Sequence, residues 1–501
     1  MRFDLAIVGG GINGCGIARD AAGRGLSVVL IEKGDIAGAT SSASTKLIHG
    51  GLRYLEHFKF MLVREALAER EVLWRMAPHL VRPLRFVLPH RKGLRPLWML
   101  RAGLFLYDHL APRRLLPGTA RVDLSQHENG TPLRDKFRHG FVYSDCAVDD
   151  ARLAILSARD AADHGADIRV ETAATGLRRE PDHWSITLTD SHGKDASIEA
   201  SILVNAAGPW VTDVLGLATG RRARTRLVQG SHIVVPRLYE CDVSYVLQNP
   251  DGRFVFVIPC ERDFTLIGTT ESDYEGDPSA VKITEAERSY LCAAVSQSFR
   301  TEVTPDDVVW SYAGVRPLYD DGATAARQTT REYVLDLDTA QAPVLTTIGG
   351  KITTFRHLAE TALERLGPFL PAKATGPWTK NSSLPGGDFP FDGRPSLEQE
   401  IGAAHPYLPA TMIARLVRLY GTRVSQVLAH VRTLDDLGRH FGADLYEREV
   451  RYLMENEWAR TAADIAWRRT KLGLFLTASE IKNLGLGINA IAASMAAQQV
   501  P

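Results

Sequence analysis

Three glycines, Gly9, Gly11 and Gly14, stand in the pattern G-x-G-x-x-G directly after the apolar run DLAIVG. Each has a separate task in holding a pyrophosphate. The first permits a tight turn, the second lets backbone approach the anion, and the third lets a helix pack closely on a strand. Glu32 ends the next apolar run, LSVVLIE, where a carboxylate accepts ribose hydroxyl hydrogen bonds. Soon after comes SSASTKLIHGGLRYLEH, residues 41–57, which gathers serines, Lys46, His49, two glycines, Arg53 and Tyr54. It reads either as a solvated loop or as chain laid against an anionic cofactor. The apolar residues threaded through its second half favour the latter.

Two glycine turns lie far downstream. NAAGPW, Asn205–Trp210, closes a buried strand with Ala207 and Gly208 at its turn. In IGGKITTFRHLAE, Gly349 and Gly350 precede a helix whose Phe355, Leu358, Ala359, Ala362 and Leu363 share one face. That helix start offers a second positive end for a flavin or its phosphates. No second nucleotide fingerprint is present for a separate NAD(P)H domain. One elongated dinucleotide threaded through the body, FAD, is the expectation.

The elements that must position these residues begin as β-α-β over residues 4–32. A helix is predicted from Lys59 to His79, and RFVFVIPCERDFTLIGTT reads as a hairpin. Pro, Gly, Ser and Asn concentrate between Pro371 and Arg394. The predicted fold is α/β: a Rossmann-like FAD-binding domain interleaved with a mixed-sheet substrate domain over residues 1–375, then an all-α domain over 376–501.

Bulk properties exclude several classes. Of 501 residues, 45% are hydrophobic and 24% charged, which is ordinary for a soluble globular chain. Lys+Arg and Asp+Glu are both 59, so no overall charge favours nucleic acid. Five cysteines without a CxxC fit a reducing, cytoplasmic compartment. No signal peptide or membrane-spanning run is expected, and no HExxH, paired Cys/His spacing or GxSxG is present, so no metal is expected.

The stretches IVGGGINGCGIARDAAGRGLSVVLIE, TSSASTKLIHGGLRYLE, YSDCAVDDARL, NAAGPWV, GSHIVVP, YAGVRPL and GGKITTFR resemble the FAD-dependent glycerol-3-phosphate dehydrogenases of aerobic glycerol use, over about residues 3–475. The resemblance implies oxidation of sn-glycerol 3-phosphate to dihydroxyacetone phosphate, with electrons passed to a membrane quinone. It implies FAD contacts from Asn13, Lys33, Thr40, Ser41, Ser42, Lys46, Leu47, His49, Gly50, Gly51, Lys351 and Thr353, beside the turns already named. It implies a cationic substrate pocket of Arg53, Arg316, Arg331 and Lys351, with Tyr54 and Thr269 or Thr270 adding hydrogen bonds. Arginine suits the task because it grips a phosphate bidentately.

Hydride transfer to flavin leaves the substrate hydroxyl proton to be removed. His232 is the expected general base, with His49 the alternative, and Arg316 would stabilise the developing alkoxide. Rival functions are an oxidase that reduces oxygen, a low-turnover flavin sensor or scaffold, and an amine or amino-acid oxidase. The enzyme is expected at the cytoplasmic face of a membrane, held peripherally, and a homodimer is possible. Two segments could dock there: His90–Arg114, with Trp98 and basic ends, and Trp467–Leu476.

Overall fold

The computed structural model describes residues 2–112, 115–320 and 332–498. Arg331 and the basic pair 113–114 therefore lie outside the described residues. The N-terminal β-α-β forms as predicted: strand Arg2–Val8, helix Ile12–Gly23 and strand Val28–Ile31. Val28–Ile31 is buried throughout, as a parallel strand covered on both faces must be. This sheet runs in the order Val334–Asp338, Val344–Ile348, Asp195–Asn205, Arg2–Val8, Val28–Ile31, Asp167–Arg169. Its central strands are parallel, and a meander of Thr172–Arg179 and Trp184–Asp190 extends it. Strands from residues 2, 195 and 344 onward thus lie side by side, which places the three glycine turns at one edge.

A second sheet of ten strands carries the substrate side. Thr225–Pro236 is paired with Phe264–Gly268 and with Trp310–Tyr319, all antiparallel. The predicted hairpin appears as Phe254–Cys260 against Phe264–Gly268. Among the described residues only Val243–Gln248 and Val81–His90 pair in parallel, so the sheet is mixed. The helix expected after Lys59 runs Phe60–Met76, with Leu62, Ala66, Leu67, Leu73 and Met76 buried.

The C-terminal part is helical around its own core, from Leu397 to Ile491. A small two-stranded ribbon, His440–Gly442 with Leu445–Tyr446, is the departure from all-α. It is joined to the body by buried ion pairs. Arg152 meets Glu457 bidentately, both fully buried, and also donates to the carbonyl of Leu419 at 2.8 Å. Arg468 and Arg469 meet Asp35, three residues beyond Glu32, and Lys471 meets Asp149 at 3.1 Å. Trp467 stacks on Trp310 at 4.4 Å. These contacts remove Trp467–Leu476 as a docking segment: its cations are spent on carboxylates inside the molecule.

Candidate active site

The first glycine turn is shaped as its sequence requires. Gly9 has φ +113°, and a Cβ there would lie 2.4 Å from the carbonyl oxygen of Ala206. A Cβ on Gly14 would lie 1.9 Å from the oxygen of Gly9. Glu32 accepts from the backbone N–H of Gly10 at 2.7 Å and of Gly34 at 2.8 Å. Burial raises its pKa, against the pull of those N–H groups. Each carboxylate oxygen keeps a second lone pair for a ribose hydroxyl.

From this turn a cavity of about 530 Å³ runs to the second sheet and on to the surface. Gly11, Asn13, Thr40, Ser41, Leu47, His49, Gly51, Gly208, Gly349, Gly350 and Thr353 line its inner part. Asn13 donates to the carbonyl of Gly349 at 3.1 Å, tying the first and last turns together. Its Oδ1 is buried with no hydrogen-bond partner among the described residues. A Cβ on Gly11 would meet only the Ser41 hydroxyl, at 3.2 Å. An open glycine wall, an orphaned acceptor and two helix starts fit the pyrophosphate and ring of FAD.

Arg53, Tyr54, Thr269, Arg316 and Lys351 converge on the same cavity. Arg316 lies flat on Gly230, where a Cβ would be 2.5 Å from its guanidinium, and its Nη2 is 3.4 Å from the Thr269 hydroxyl. The Lys351 ammonium sits 3.7 Å above the Tyr54 ring. Arg53 pairs with Glu271 at 3.3 Å. Glu271 was not foreseen; it is the residue after the two threonines, and nothing in that short run marks it as facing a cation.

Other predicted residues lie outside the cavity lining. Thr270 is buried, donates to Glu287 at 2.6 Å and accepts from the N–H of Ser231 at 2.9 Å, so Thr269 alone of the pair faces the cavity. Lys46 reaches Asp150 at 2.8 Å and the carbonyl of Ser42, holding the loop to the helix Asp150–Asp163. Ser42 bonds back to Ala39, and Lys33 covers the ring of Trp210 at 3.5 Å. Gly50 is pressed on Leu67 and Tyr107, behind the cavity wall. Ala207 flanks the turn without lining the cavity; its neighbours Ala206 and Gly208 do.

The two histidines lie at different depths. His49 is on the wall, whereas His232 is fully buried behind it, 3.0 Å from the hydroxyl of Thr45, which does line the cavity. Burial, with Lys351 and Arg70 nearby, pushes the pKa of His49 down to about 3. Burial, with Arg316 and Lys46, holds His232 well below its usual value. Both rings are thus neutral near pH 7 and only weakly basic. His232 also stacks on Tyr312 at 4.8 Å, and Tyr312 lies 4.9 Å from Trp310. With Trp467, these rings form a continuous ladder from the C-terminal domain to the site.

Comparison with known proteins agrees with this geometry. Residues 4–356 match the FAD dependent oxidoreductase family, and residues 377–497 match the C-terminal domain of alpha-glycerophosphate oxidase. A glycerol-3-phosphate dehydrogenase of Pseudomonas aeruginosa is 51% identical, over 96% of this chain and 94% of its own. A D-erythritol 1-phosphate dehydrogenase of Brucella abortus is 50% identical, over 95% of this chain and 96% of its own. The solved glycerol-3-phosphate dehydrogenase of Bacillus halodurans, complexed with FAD, superposes with a TM-score of 0.78 at 26% identity, covering 99% of this chain and 91% of that one. With the glycine-walled cavity and its cations already in view, these matches show that the chain belongs to the FAD-dependent glycerol-3-phosphate dehydrogenase family, with FAD as its cofactor.

Proposed function

We propose that the protein oxidises sn-glycerol 3-phosphate to dihydroxyacetone phosphate and delivers the electrons to a membrane quinone. The observation that carries the substrate is the convergence of Arg53, Arg316 and Lys351 beside the glycine-lined part of one cavity. FAD held by the Gly9–Gly14 and Gly349–Gly350 turns would supply the acceptor for the C2 hydride. The cations hold the phosphate, and Arg316 also offsets negative charge as the C2 hydroxyl loses its proton. His49 stands on the wall and takes that proton once the bound phosphate dianion raises a basicity that burial and Lys351 hold low; His232, the residue favoured by sequence, acts on the same hydroxyl only through Thr45.

The quinone reading rests on the cavity's outer half, lined by Leu52, Leu55, Phe58, Phe60, Trp98, Met99 and Leu106. At its mouth Phe58 is 80% exposed, Met61 71%, Trp98 73% and Phe105 61%. No helix among the described residues is long and apolar enough to cross a membrane. An apolar rim with Arg91 and Lys92 beside it suits a protein that lies on anionic lipid and meets its acceptor there.

Anaerobic mixing of the holoprotein with glycerol 3-phosphate should bleach the flavin absorbance, with glycerol and glycerol 2-phosphate inert. The Brucella relative favours one competing reading, a four-carbon polyol phosphate, so D-erythritol 1-phosphate belongs in the same experiment. Faster bleaching by that compound would reassign the substrate. Stoichiometric peroxide in air, unaffected by a quinone analogue, would make the protein an oxidase instead.

A further inference from the structure

The helix Leu97–His109 lies at the cavity mouth with two unlike faces. Trp98 and Phe105 point outward, while Leu100, Leu104 and Tyr107 are buried. Tyr107 brings the polar group of that inner face, and its hydroxyl is fully committed. It accepts from the backbone N–H of Gly50 at 2.8 Å and donates to Asp145, with both carboxylate oxygens at 2.8 Å. Asp145 is in turn held by Arg70 at 2.7 Å, and the Arg70 guanidinium also donates to the carbonyl of Ser144. All three side chains are buried.

Gly50 makes the contact possible, since a Cβ there would lie 2.8 Å from the Tyr107 ring. The N–H and C=O of a trans peptide point in opposite directions. Fixing the Gly50 N–H on Tyr107 therefore turns the His49 carbonyl toward the other side, where the Thr353 hydroxyl lies 3.4 Å away. Thr353 also accepts from the His49 N–H at 3.2 Å. His49 is thus held from both sides, and the chain passes directly through Gly51, in the left-handed region, to Arg53 and Tyr54. A hydrogen bond accepted by a phenol that is itself donating to a buried carboxylate is stronger than one accepted by an isolated hydroxyl. Burial beside Asp145 raises the Tyr107 pKa well above its usual value, so the hydroxyl keeps its proton.

We propose that Tyr107 is a positioning residue for the reaction: its hydroxyl sets the His49–Gly50 peptide, and through it the place of His49 and of the Gly51–Tyr54 floor. The helix bordering the apolar mouth is thereby part of the geometry of the substrate end. This rests on the cavity being the site of FAD and a phosphorylated polyol.

The test is Tyr107→Phe in the FAD-loaded enzyme, with Leu104→Ala as a control on the same inner face. Tyr107→Phe should retain FAD, shift the visible flavin spectrum, and lower kcat roughly tenfold with a KM change under about threefold. Leu104→Ala should lower Tm at least as far while kcat stays within about twofold. Asp145→Asn, which keeps an acceptor for the phenol, should fall between wild type and Tyr107→Phe. The proposal is overturned if Tyr107→Phe keeps kcat and spectrum, or if Leu104→Ala loses kcat in step with Tyr107→Phe. Failure of wild type to be bleached by glycerol 3-phosphate would instead sink the substrate assignment, because the spectral shift is read without turnover.

Discussion

The arginines of the interdomain joint and those of the cavity wall are the same residue type in opposite settings. In the joint and the C-terminal core each buried guanidinium meets a carboxylate: Arg152 with Glu457, Arg469 with Asp35, Arg415 with Glu449. On the cavity wall Arg53 meets Glu271 and Arg253 meets Asp251 at 2.7 Å, but there the cations, Arg316 and Lys351 with them, line an open cavity. Glu56, also lining it, is paired with Arg95. Buried pairs hold domains together, while the wall gathers its cations beside open glycine backbone, where an anion can reach them. The difference is one of setting, and it should show in which property each variant loses.

The largest effect should come from the joint. Arg152→Ala leaves Glu457 charged and buried without its partner, and should cost about 3–5 kcal/mol of stability. Denaturant unfolding of the holoenzyme measures it. A loss below 1 kcal/mol would mean the joint does not carry the domain contact.

The wall should behave in reverse. Arg316→Ala and Lys351→Ala should each lose about 1.5–3 kcal/mol of transition-state binding, or ten- to a hundredfold in kcat/KM. FAD content and Tm should scarcely change. Arg316→Lys should recover little, because the planar fork is lost. Steady-state kinetics on glycerol 3-phosphate decide this, and an unchanged kcat/KM in both alanine variants would break the comparison.

Histidine sharpens it further. His79, at the joint, is buried with neither ring nitrogen bonded among the described residues. Burial, with Arg152 and Arg394 nearby, pushes its pKa down to about 3. An unfolded histidine takes a proton near pH 6.5, the folded one only near 3, so the unfolded state binds more protons between those values. Stability from this ring is therefore complete above pH 6.5 and lost as pH falls toward 3, at about 1.4 kcal/mol per unit. His79→Leu should flatten the acid limb of a stability–pH curve measured by urea unfolding; an unchanged slope would show that His79 stays bonded through water.

The smallest effect belongs to the surface. Reversing Arg91 and Lys92 to glutamate should weaken co-sedimentation with anionic vesicles by about 1 kcal/mol per charge at low salt. Reversing Arg468 and Arg469 should unfold the joint instead. Equal vesicle binding by wild type and the Arg91/Lys92 variant would remove this rim from the docking surface.

The sequence made the nucleotide turns legible because each is local: strand, glycines and helix follow one another within a few residues. Where partners are distant, local composition was ambiguous. WRRTKLGLFL has the cations and apolar run of a lipid-facing segment, yet Arg469 answers to Asp35, 434 positions away. Thr269 and Thr270 could not be separated from sequence, because what turns Thr270 away from the cavity is its bonding to Ser231 and Glu287 in other elements. His232 sits in a strand of the second sheet, and the register that places it behind Thr45 is a property of the folded sheet. Tyr107 gave no signal, because its meaning depends on Gly50 and Asp145 in other elements.

The hydrogen bond from Asn13 to Gly349 spans 336 positions of chain, and this sets a schedule for biosynthesis. At ~5–20 residues per second, roughly 17–67 s separate the appearance of the first glycine turn from that of the last. The central strands Arg2–Val8 and Val28–Ile31 emerge first, yet the neighbour Asp195–Asn205 and the cofactor wall at Gly349–Gly350 are still unmade. During that interval apolar strand edges stand uncovered and FAD finds half a site. Cofactor capture is therefore a late event, and the nascent chain needs shelter from its own hydrophobic edges until the final third has left the ribosome.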